Sequence, residues 1–468
     1  MSDKHLSRRH QQRRRSPSLL KRINLNAAGI DCGSAEHYVA VPADRDPAPV
    51  RAFRTFTSDL HRLADWLVSC GITTVAMEAT GVYWLPLYEI LEARGLEVVL
   101  VNARHVKNVP GRKSDVSDCE WLQELHSVGL LRGSFRPAAH IAILRSYVRH
   151  RETLVRSAVM VMNRIEKALL QMNLQLHLVI SDLAGATGLR ILRDIVNGET
   201  DPYRLAAHRD VRCKASEAEI VAALTGHYRT DHVFVLRQNL ELFDAFQRQM
   251  QICDVEIENV LRKLVSPLPA PKDPLPPRRV SAKAPKKNEP RFDIRGPLYN
   301  LTTGIDLTRI DAIGPYNALR LVSEIGTDMS RWPTAGHFTS WLTLAPRNKV
   351  SGGRLLGSTT QPAPNRAAMI FRLAAVSVGR TQTALGAFYR RLAYRIGKPK
   401  AITATARKLA ILVYRSLKGE ITYRDPGDSA YDARYRDSVV RRLRHRAEAL
   451  GLTLVDRRAD QSLAEGVS

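Results

Sequence analysis

The order of apolar and polar residues predicts a mixed α/β region between residues 27 and 137. Short apolar segments first follow one another across a tight turn, as in AAGIDCG and EHYVAVPA, which is typical of strands. Helical spacing then appears in SDLHRLADWLVSCG and again before the strand-like segment LEVVLVN. Strands in series, followed by strands that alternate with helices, predict an α/β fold with a mixed sheet.

Residues 138–265 have the periodicity of long helices. Apolar residues at alternating four- and three-residue spacing form two narrow stripes, as in the seam of a coiled coil. The first stripe is Leu154, Ala158, Val161, Ile165, Ala168 and Met172, and the second is Leu236, Leu240, Phe243, Phe246, Met250, Cys253, Ile257 and Val260. They predict a coiled-coil hairpin or oligomerisation arm, and a plain helical bundle is an equal alternative.

Composition marks the remaining boundaries. Residues 1–26 are predicted to be a disordered basic arm, because the first 22 residues carry eight Lys and Arg but one Asp. Eight of the 24 prolines lie between residues 267 and 290, which predicts an extended linker over 266–296. A helical domain is predicted over 297–420, and a basic helix with a polar tail over 421–468.

The charge balance narrows the class of partner. The 468 residues include 71 Lys and Arg against 46 Asp and Glu, a net charge of +25. Proteins this basic usually bind a polyanion, most commonly nucleic acid. The apolar runs are strand-sized, so we expect no membrane span, no export signal and a cytoplasmic location. The five cysteines form no CxxC pair, which favours reduced thiols over a zinc site.

Four acidic residues are candidate metal ligands. Asp31 lies inside the first apolar strand, and Glu78 ends another, where an unpaired charge is costly unless it binds metal. Asp115 and Asp118 are three residues apart, so they share one face of a helix. Carboxylate oxygens are the ligands that Mg²⁺ prefers, and two such ions clamp the attacking and leaving oxygens of a phosphodiester.

The residues just before Asp115 fit the same chemistry. Arg112 and Lys113 suit a nearby phosphate backbone. The alternative interpretation is a solvated helix start, in which Ser114 or Asp115 is the N-cap and the acids interact with the helix dipole.

Two motifs stand out in the C-terminal region. Residues 307–326, LTRIDAIGPYNALRLVSEIG, have the pattern of a helix-hairpin-helix element, with Ala312 in place of the first glycine. Such hairpins offer backbone N–H groups to phosphate, and a helical packing turn is the alternative. Further on, Ser351 precedes Gly352 and Gly353 in a segment predicted to be a mobile basic loop.

The side chains around Ser351 are basic. Arg347, Lys349 and Arg354 are placed to bind phosphate oxygens. From chemistry alone this segment is a phosphate-binding loop, and a nucleophilic serine is the less favoured alternative.

Several segments closely resemble the DEDD transposases of insertion sequences, the group related to the Piv and MooV DNA invertases. The segments are AGIDCG, AMEATGVYW, LVNARHVKNVPGRKSDVSDCEWLQEL and GLLRGSFRP. The resemblance implies that Asp31, Glu78, Asp115 and Asp118 are the family's acidic tetrad, and that Ser351 is its C-terminal catalytic serine. The chain departs from the family in TTQPAPNRAAM, which replaces a Gly-Asn-rich stretch.

The resemblance extends over about residues 27–420 and carries expectations for fold and function. It implies a RuvC-like, RNase H-type fold for 27–137 and a transposase domain for 297–420. It implies a recombinase that uses Mg²⁺, for which Mn²⁺ can substitute, and a covalent serine–DNA intermediate. The expected partners are double-stranded donor and target DNA, a structured guide RNA and further copies of the chain as a dimer or tetramer. The expected location is the nucleoid of a bacterial cytoplasm.

Two other functions are compatible with the residues. A RuvC-like junction endonuclease would hydrolyse DNA with water and make no use of Ser351. A non-catalytic nucleic-acid-binding protein would use the acids only to cap helices.

Overall fold

The computed structural model describes residues 21–79, 81–102, 115–278, 287–360 and 365–455, and for 115–117 it describes the backbone only. The chain divides into two compact units, residues 1–136 and 137–468. Arg112, Lys113 and most of the basic arm lie outside the described residues.

The first unit is built on a five-stranded mixed sheet. The strands are β1 (Ala27–Cys32), β2 (Glu36–Ala40), β3 (Val50–Arg54), β4 (Thr74–Glu78) and β5 (Glu97–Val101). Their order is β3-β2-β1-β4-β5. The β1–β2 and β2–β3 pairs are antiparallel, whereas β1–β4 and β4–β5 are parallel. The predicted mixed α/β fold is therefore confirmed.

Helices cover both faces of this sheet. They are α1 (Thr57–Ser69), α2 (Trp84–Ala93) and α3 (Asp115–Ser127). Ile30, Val75 and Met77 of the sheet pack with Leu63 of α1 and Leu91 of α2 in one apolar cluster. The opposite face has a smaller cluster of Ala76, Val101 and Leu122, the last of which belongs to α3. Burial on both faces explains why β1 and β4 are nearly continuous apolar runs.

Two long helices dominate the second unit. They are α4 (Ala139–Gln171) and α9 (Thr230–Val265), and between them lie α5 (Leu176–Val179), α6 (Ala186–Val196), α7 (Pro202–Ala206) and α8 (Glu217–Leu224). The two long helices are antiparallel, because Cys253 lies beside Tyr147 near one end, and His227 N–H donates to the Met172 carbonyl at the other. The four short helices pack over the second end, where they share the long helices' apolar cluster.

The predicted stripes lie in the seam between the two long helices. From Ala158 onwards every member of the first stripe is buried, and Leu154 packs against the same cluster. In the second stripe six of the eight residues are buried, and Phe246 and Val260 are half-buried. The apolar spacing in the sequence therefore identified the faces along which α4 and α9 of the same chain pack together.

Charged residues join α4 to the C-terminal helices. Those helices are α10 (Arg295–Leu301), α11 (Pro315–Ile325), α12 (Ala335–Trp341), α13 (Arg366–Val378), α14 (Ala384–Ile396), α15 (Lys398–Leu417) and α16 (Asp428–Glu448). The Arg149 guanidinium donates to both carboxylate oxygens of Glu324 on α11, at 2.7 and 2.6 Å. Glu152 pairs with Arg320 on α11, and at 3.3 Å with Arg366 on α13.

The described part of the proline-rich segment contacts these helices. The Tyr299 hydroxyl donates to the Asp273 carbonyl at 2.9 Å, and Arg295 donates to the Pro276 carbonyl at 2.6 Å. Arg295 is buried and also pairs with Asp306. Proline cannot donate a backbone hydrogen bond, but its carbonyl still accepts one. This segment is therefore held by hydrogen bonds from side chains to its backbone carbonyls.

One β-hairpin interrupts the C-terminal helices. It consists of β6 (Arg347–Ser351) and β7 (Arg354–Thr359), which are antiparallel. Within the described ranges, no helix is long and apolar enough to span a membrane.

The first unit contains two buried histidines, His37 and His126, which make its stability depend on pH. Burial lowers the pKa of His37 and of His126 below the usual 6.5, although the charge of Glu97 partly opposes this at His126. The His126 ring lies 2.9 Å from the Thr74 hydroxyl. Both rings are therefore neutral in the folded protein near pH 6.5, where the same histidines in the unfolded chain bind protons.

We expect stability to be full above about pH 6.5 and to fall as the pH drops below it, by up to ~1.4 kcal/mol per pH unit for each histidine. His37→Leu and His126→Gln should each reduce this slope, measured as the unfolding midpoint between pH 7.5 and 5. Replacing the exposed His61 by Gln is the control. An acid slope that both buried-site variants leave unchanged would contradict the assignment.

Candidate active site

Two of the predicted acids lie side by side at the ends of adjacent parallel strands. The register pairs Ile30 with Met77, so the next residues, Asp31 and Glu78, occupy equivalent positions on β1 and β4. Side chains alternate along a strand, so Asp31 shares a sheet face with Gly29, and Glu78 shares that face with Ala76. Glu78 is 6% exposed, and Asp31 is half-buried.

Helix α3 packs directly against that face. A Cβ atom on Gly29 would lie 2.3 Å from the Cys119 carbonyl oxygen and 2.3 Å from the Gln123 nitrogen, so only glycine permits this approach. The Gln123 amide donates to the Ala27 carbonyl at 3.2 Å, which fixes the helix along β1. The half-buried Asp118, adjacent to Cys119, is thereby carried to the face that holds Asp31.

The fourth acid, Asp115, is the first residue of α3. It lies one helical turn before Asp118, as the spacing predicted. Its side chain lies outside the described residues.

The charges of these carboxylates act on two buried thiols beside them, Cys32 and Cys119. Burial raises the pKa of Cys32, and the charges of Asp31 and Glu78 raise it further. Burial raises the pKa of Cys119 to about 12, with contributions from Glu120 and from Asp31 across the helix–strand contact. A negative charge disfavours a nearby thiolate, so both thiols stay protonated near neutral pH.

The chemistry of the donor set fits a hard divalent cation. Asp31, Glu78 and Asp118 offer oxygen ligands, and a cation would offset the repulsion among carboxylates drawn to one face. Among the side chains that the structure describes, no group of three His, Cys, Asp or Glu is close enough to hold a metal ion. A complete tetrad includes Asp115, whose side chain lies outside that set.

Ser351 lies at the tip of the hairpin and not in an irregular loop, which corrects the prediction. It is the last residue of β6, and Gly352 and Gly353 make the turn with φ of +53° and +75°. Two consecutive residues with positive φ form the turn type that matches strand twist, and glycine adopts it without strain. The serine is therefore held at a defined position in a strand.

The hairpin surface combines charge with apolar side chains. Arg347, Lys349 and Arg354 are exposed on it, as are Val350 and Leu355, each 60% exposed. The Gly-Gly pair between two strand-like segments is a sequence signal for this hairpin.

The contact of α3 with β1 also has a sequence signal. Gly29 is a small residue within a buried strand, which marks close approach of another backbone.

A mixed sheet with carboxylates at two adjacent strand ends, and a helix carrying more acids across the same face, is consistent with the RuvC-like class of fold. A family model described as "Transposase", of the DEDD type of IS110, matches residues 28–174. A second, described as "Transposase IS116/IS110/IS902 family", matches residues 306–390. No curated protein matches the chain.

The chain belongs to the IS110 family of DEDD transposases. It is a DNA transposase, its substrate is DNA, and the DEDD domain implies use of a divalent metal ion.

The contact at Gly29 yields a prediction. Gly29→Ala puts a methyl group inside backbone atoms of α3, so the helix must shift, at an expected cost of about 1–3 kcal/mol. DNA cleavage should fall more than stability alone explains, because Asp115 and Asp118 move with the helix. Thermal unfolding and a cleavage assay on the folded fraction measure both effects.

The control is Gly336→Ala, whose added Cβ would meet its nearest neighbour at 3.4 Å, an ordinary contact. A Gly29→Ala protein with normal stability and normal cleavage would show that α3 need not lie so close to β1.

Proposed function

We propose that this transposase cuts and exchanges DNA strands with two cooperating catalytic parts, the acidic tetrad and Ser351. The observation that carries the proposal is the placement of Asp31 and Glu78 on adjacent strand ends, under the helix that bears Asp115 and Asp118. Carboxylate oxygens near one sheet face are the ligands that Mg²⁺ prefers.

Asp31, Glu78, Asp115 and Asp118 would together hold Mg²⁺, with Mn²⁺ as a substitute. A bound ion of this type neutralises charge on the scissile phosphate and favours displacement at phosphorus. The protein's own contribution is to fix the carboxylates. Strand pairing sets the spacing of Asp31 and Glu78, and the Gly29 contact sets the distance of the helix from both.

Ser351 would be the nucleophile. Its oxygen forms a bond to phosphorus while the bond from phosphorus to a deoxyribose oxygen breaks, and the serine proton leaves to a base as the departing oxygen gains one. The resulting phosphodiester between protein and DNA conserves the energy needed for rejoining. Placement at the tip of a hairpin, beside two glycines without Cβ atoms, leaves open space around the hydroxyl for a DNA strand.

Basic residues would hold the nucleic acids. Arg347, Lys349 and Arg354 share the hairpin with Ser351 and would bind phosphate oxygens, and Arg112 and Lys113 would do so near the tetrad. We further propose a structured guide RNA, a helix-hairpin-helix role for residues 307–326, and a homo-oligomer. For the second of these, the support is Ala312, whose φ of +61° is the left-handed conformation for which glycine is favoured.

The tetrad should behave as one unit. Asp31→Asn, Glu78→Gln, Asp115→Asn and Asp118→Asn should each lower strand cleavage by orders of magnitude, and double variants should lose little more. Glu124→Gln, which also removes a carboxylate from α3, is the matched control. Calorimetric Mn²⁺ titration gives a second readout, and losses that multiply across pairs would show that the acids do not share one site.

Ser351→Ala should abolish recombination and any protein–DNA adduct that survives denaturant, while folding and DNA binding persist. Ser358→Ala is the control, because Ser358 lies on the other strand of the same hairpin. Normal recombination by Ser351→Ala would transfer the chemistry to water, as in a RuvC-like junction endonuclease.

A further inference from the structure

The start of the basic helix α16 is anchored to α14. Asp428 lies 3.7 Å from the Arg390 guanidinium of α14, and the ring of Tyr431 meets Phe388 edge-on at 6.4 Å. The Arg391 guanidinium lies 3.8 Å above the ring of Tyr435. These contacts cover the first two turns of the helix. They fix the direction in which the remaining turns project.

The later turns of α16 are rich in exposed arginines. No residue of α16 is buried, and residues 441–448, RRLRHRAE, contain four arginines and one acid. Val440, Leu443 and Ala447 lie on the side of the helix away from the arginines, and Val440 and Ala447 are half-buried. Arginines three and four residues apart repel one another and oppose the helix. A polyanion would remove this repulsion.

The arginines form two rows and not one patch. An α-helix turns by about 100° per residue, so Arg441 and Arg444 share one flank, and Arg442 and Arg446 share another roughly 150° away. All four side chains are exposed. A helix lying on a flat polyanion needs cations on one side only. Cations on two flanks suit a helix with phosphates on both sides.

We propose that the second half of α16 inserts into the major groove of duplex DNA, with each arginine row facing one phosphate backbone. The B-DNA major groove is ~12 Å wide and admits an α-helix, whose diameter is ~10–12 Å. The major groove of A-form RNA is too narrow for side chains to enter. The geometry of two flanks therefore selects duplex DNA over duplex RNA.

This surface lies outside both segments that match the transposase family, the second of which ends at residue 390. The inference rests on DNA being the substrate, and not on the tetrad or on Ser351. Its test therefore measures binding in the presence of EDTA, where strand cleavage plays no part. A failure of the proposed catalytic chemistry would leave this measurement unchanged.

The experiment compares two variants of the full chain. The first carries Arg441→Gln, Arg442→Gln, Arg444→Gln and Arg446→Gln. The matched control carries Arg156→Gln, Arg164→Gln, Arg248→Gln and Arg262→Gln, which remove the same charge from exposed positions on α4 and α9. Affinity for a labelled DNA duplex is measured by fluorescence anisotropy over a range of salt concentrations, and folding is checked by circular dichroism.

We expect the α16 variant to make the slope of log K against log salt shallower by about 3–4, since roughly 0.9 is lost for each phosphate contact. The control should change the slope by less than 1, and the slope for an RNA duplex of the same length should differ little between the α16 variant and the unmodified protein. An equal change of the slope in both variants would show that only the net charge of the protein matters, and would overturn the proposal. An equal slope change on the RNA duplex would overturn the major-groove placement.

Discussion

The first unit depends on one close approach, the contact of α3 with β1 at Gly29. A backbone carbonyl and a backbone nitrogen of the helix occupy the volume that any other side chain would fill. Packing in protein interiors leaves no slack for even one methyl group, so the distance between helix and sheet is fixed at this point. The distance of Asp118 and the other residues of this helix face from the sheet is therefore set by this contact.

The same contact explains how acids can be tolerated in an otherwise apolar sheet. Alternation along the strands sends Ile30 and Met77 to the core with α1 and α2, and sends Asp31 and Glu78 to the face under α3. The apolar cluster on that second face is small. The fold therefore separates a face packed with large apolar side chains from a face that carries the acids.

Much of this arrangement could be predicted from the sequence because local periodicity determines it. The strands around Asp31 and Glu78 have the apolar runs of a buried sheet, and the helix starting at Asp115 has its spacing. The hairpin of β6 and β7 was missed because its residues are exposed, so no core-facing alternation marked the strands. The ion pairs of Arg149 and Glu152 join residues more than a hundred positions apart, which no local pattern encodes.

The pair of long helices has a mechanical consequence. From the ion pairs at Glu152 to the end near Met172 the helix rises by ~30 Å, at about 1.5 Å per residue. The Arg320 and Arg366 contacts hold the helix at Glu152, and the cap of short helices lies at the Met172 end. A rotation of about 10° about these contacts would displace the cap by ~5 Å. Rearrangement of a few arginine–carboxylate pairs would thus be converted into movement on the scale of a nucleotide.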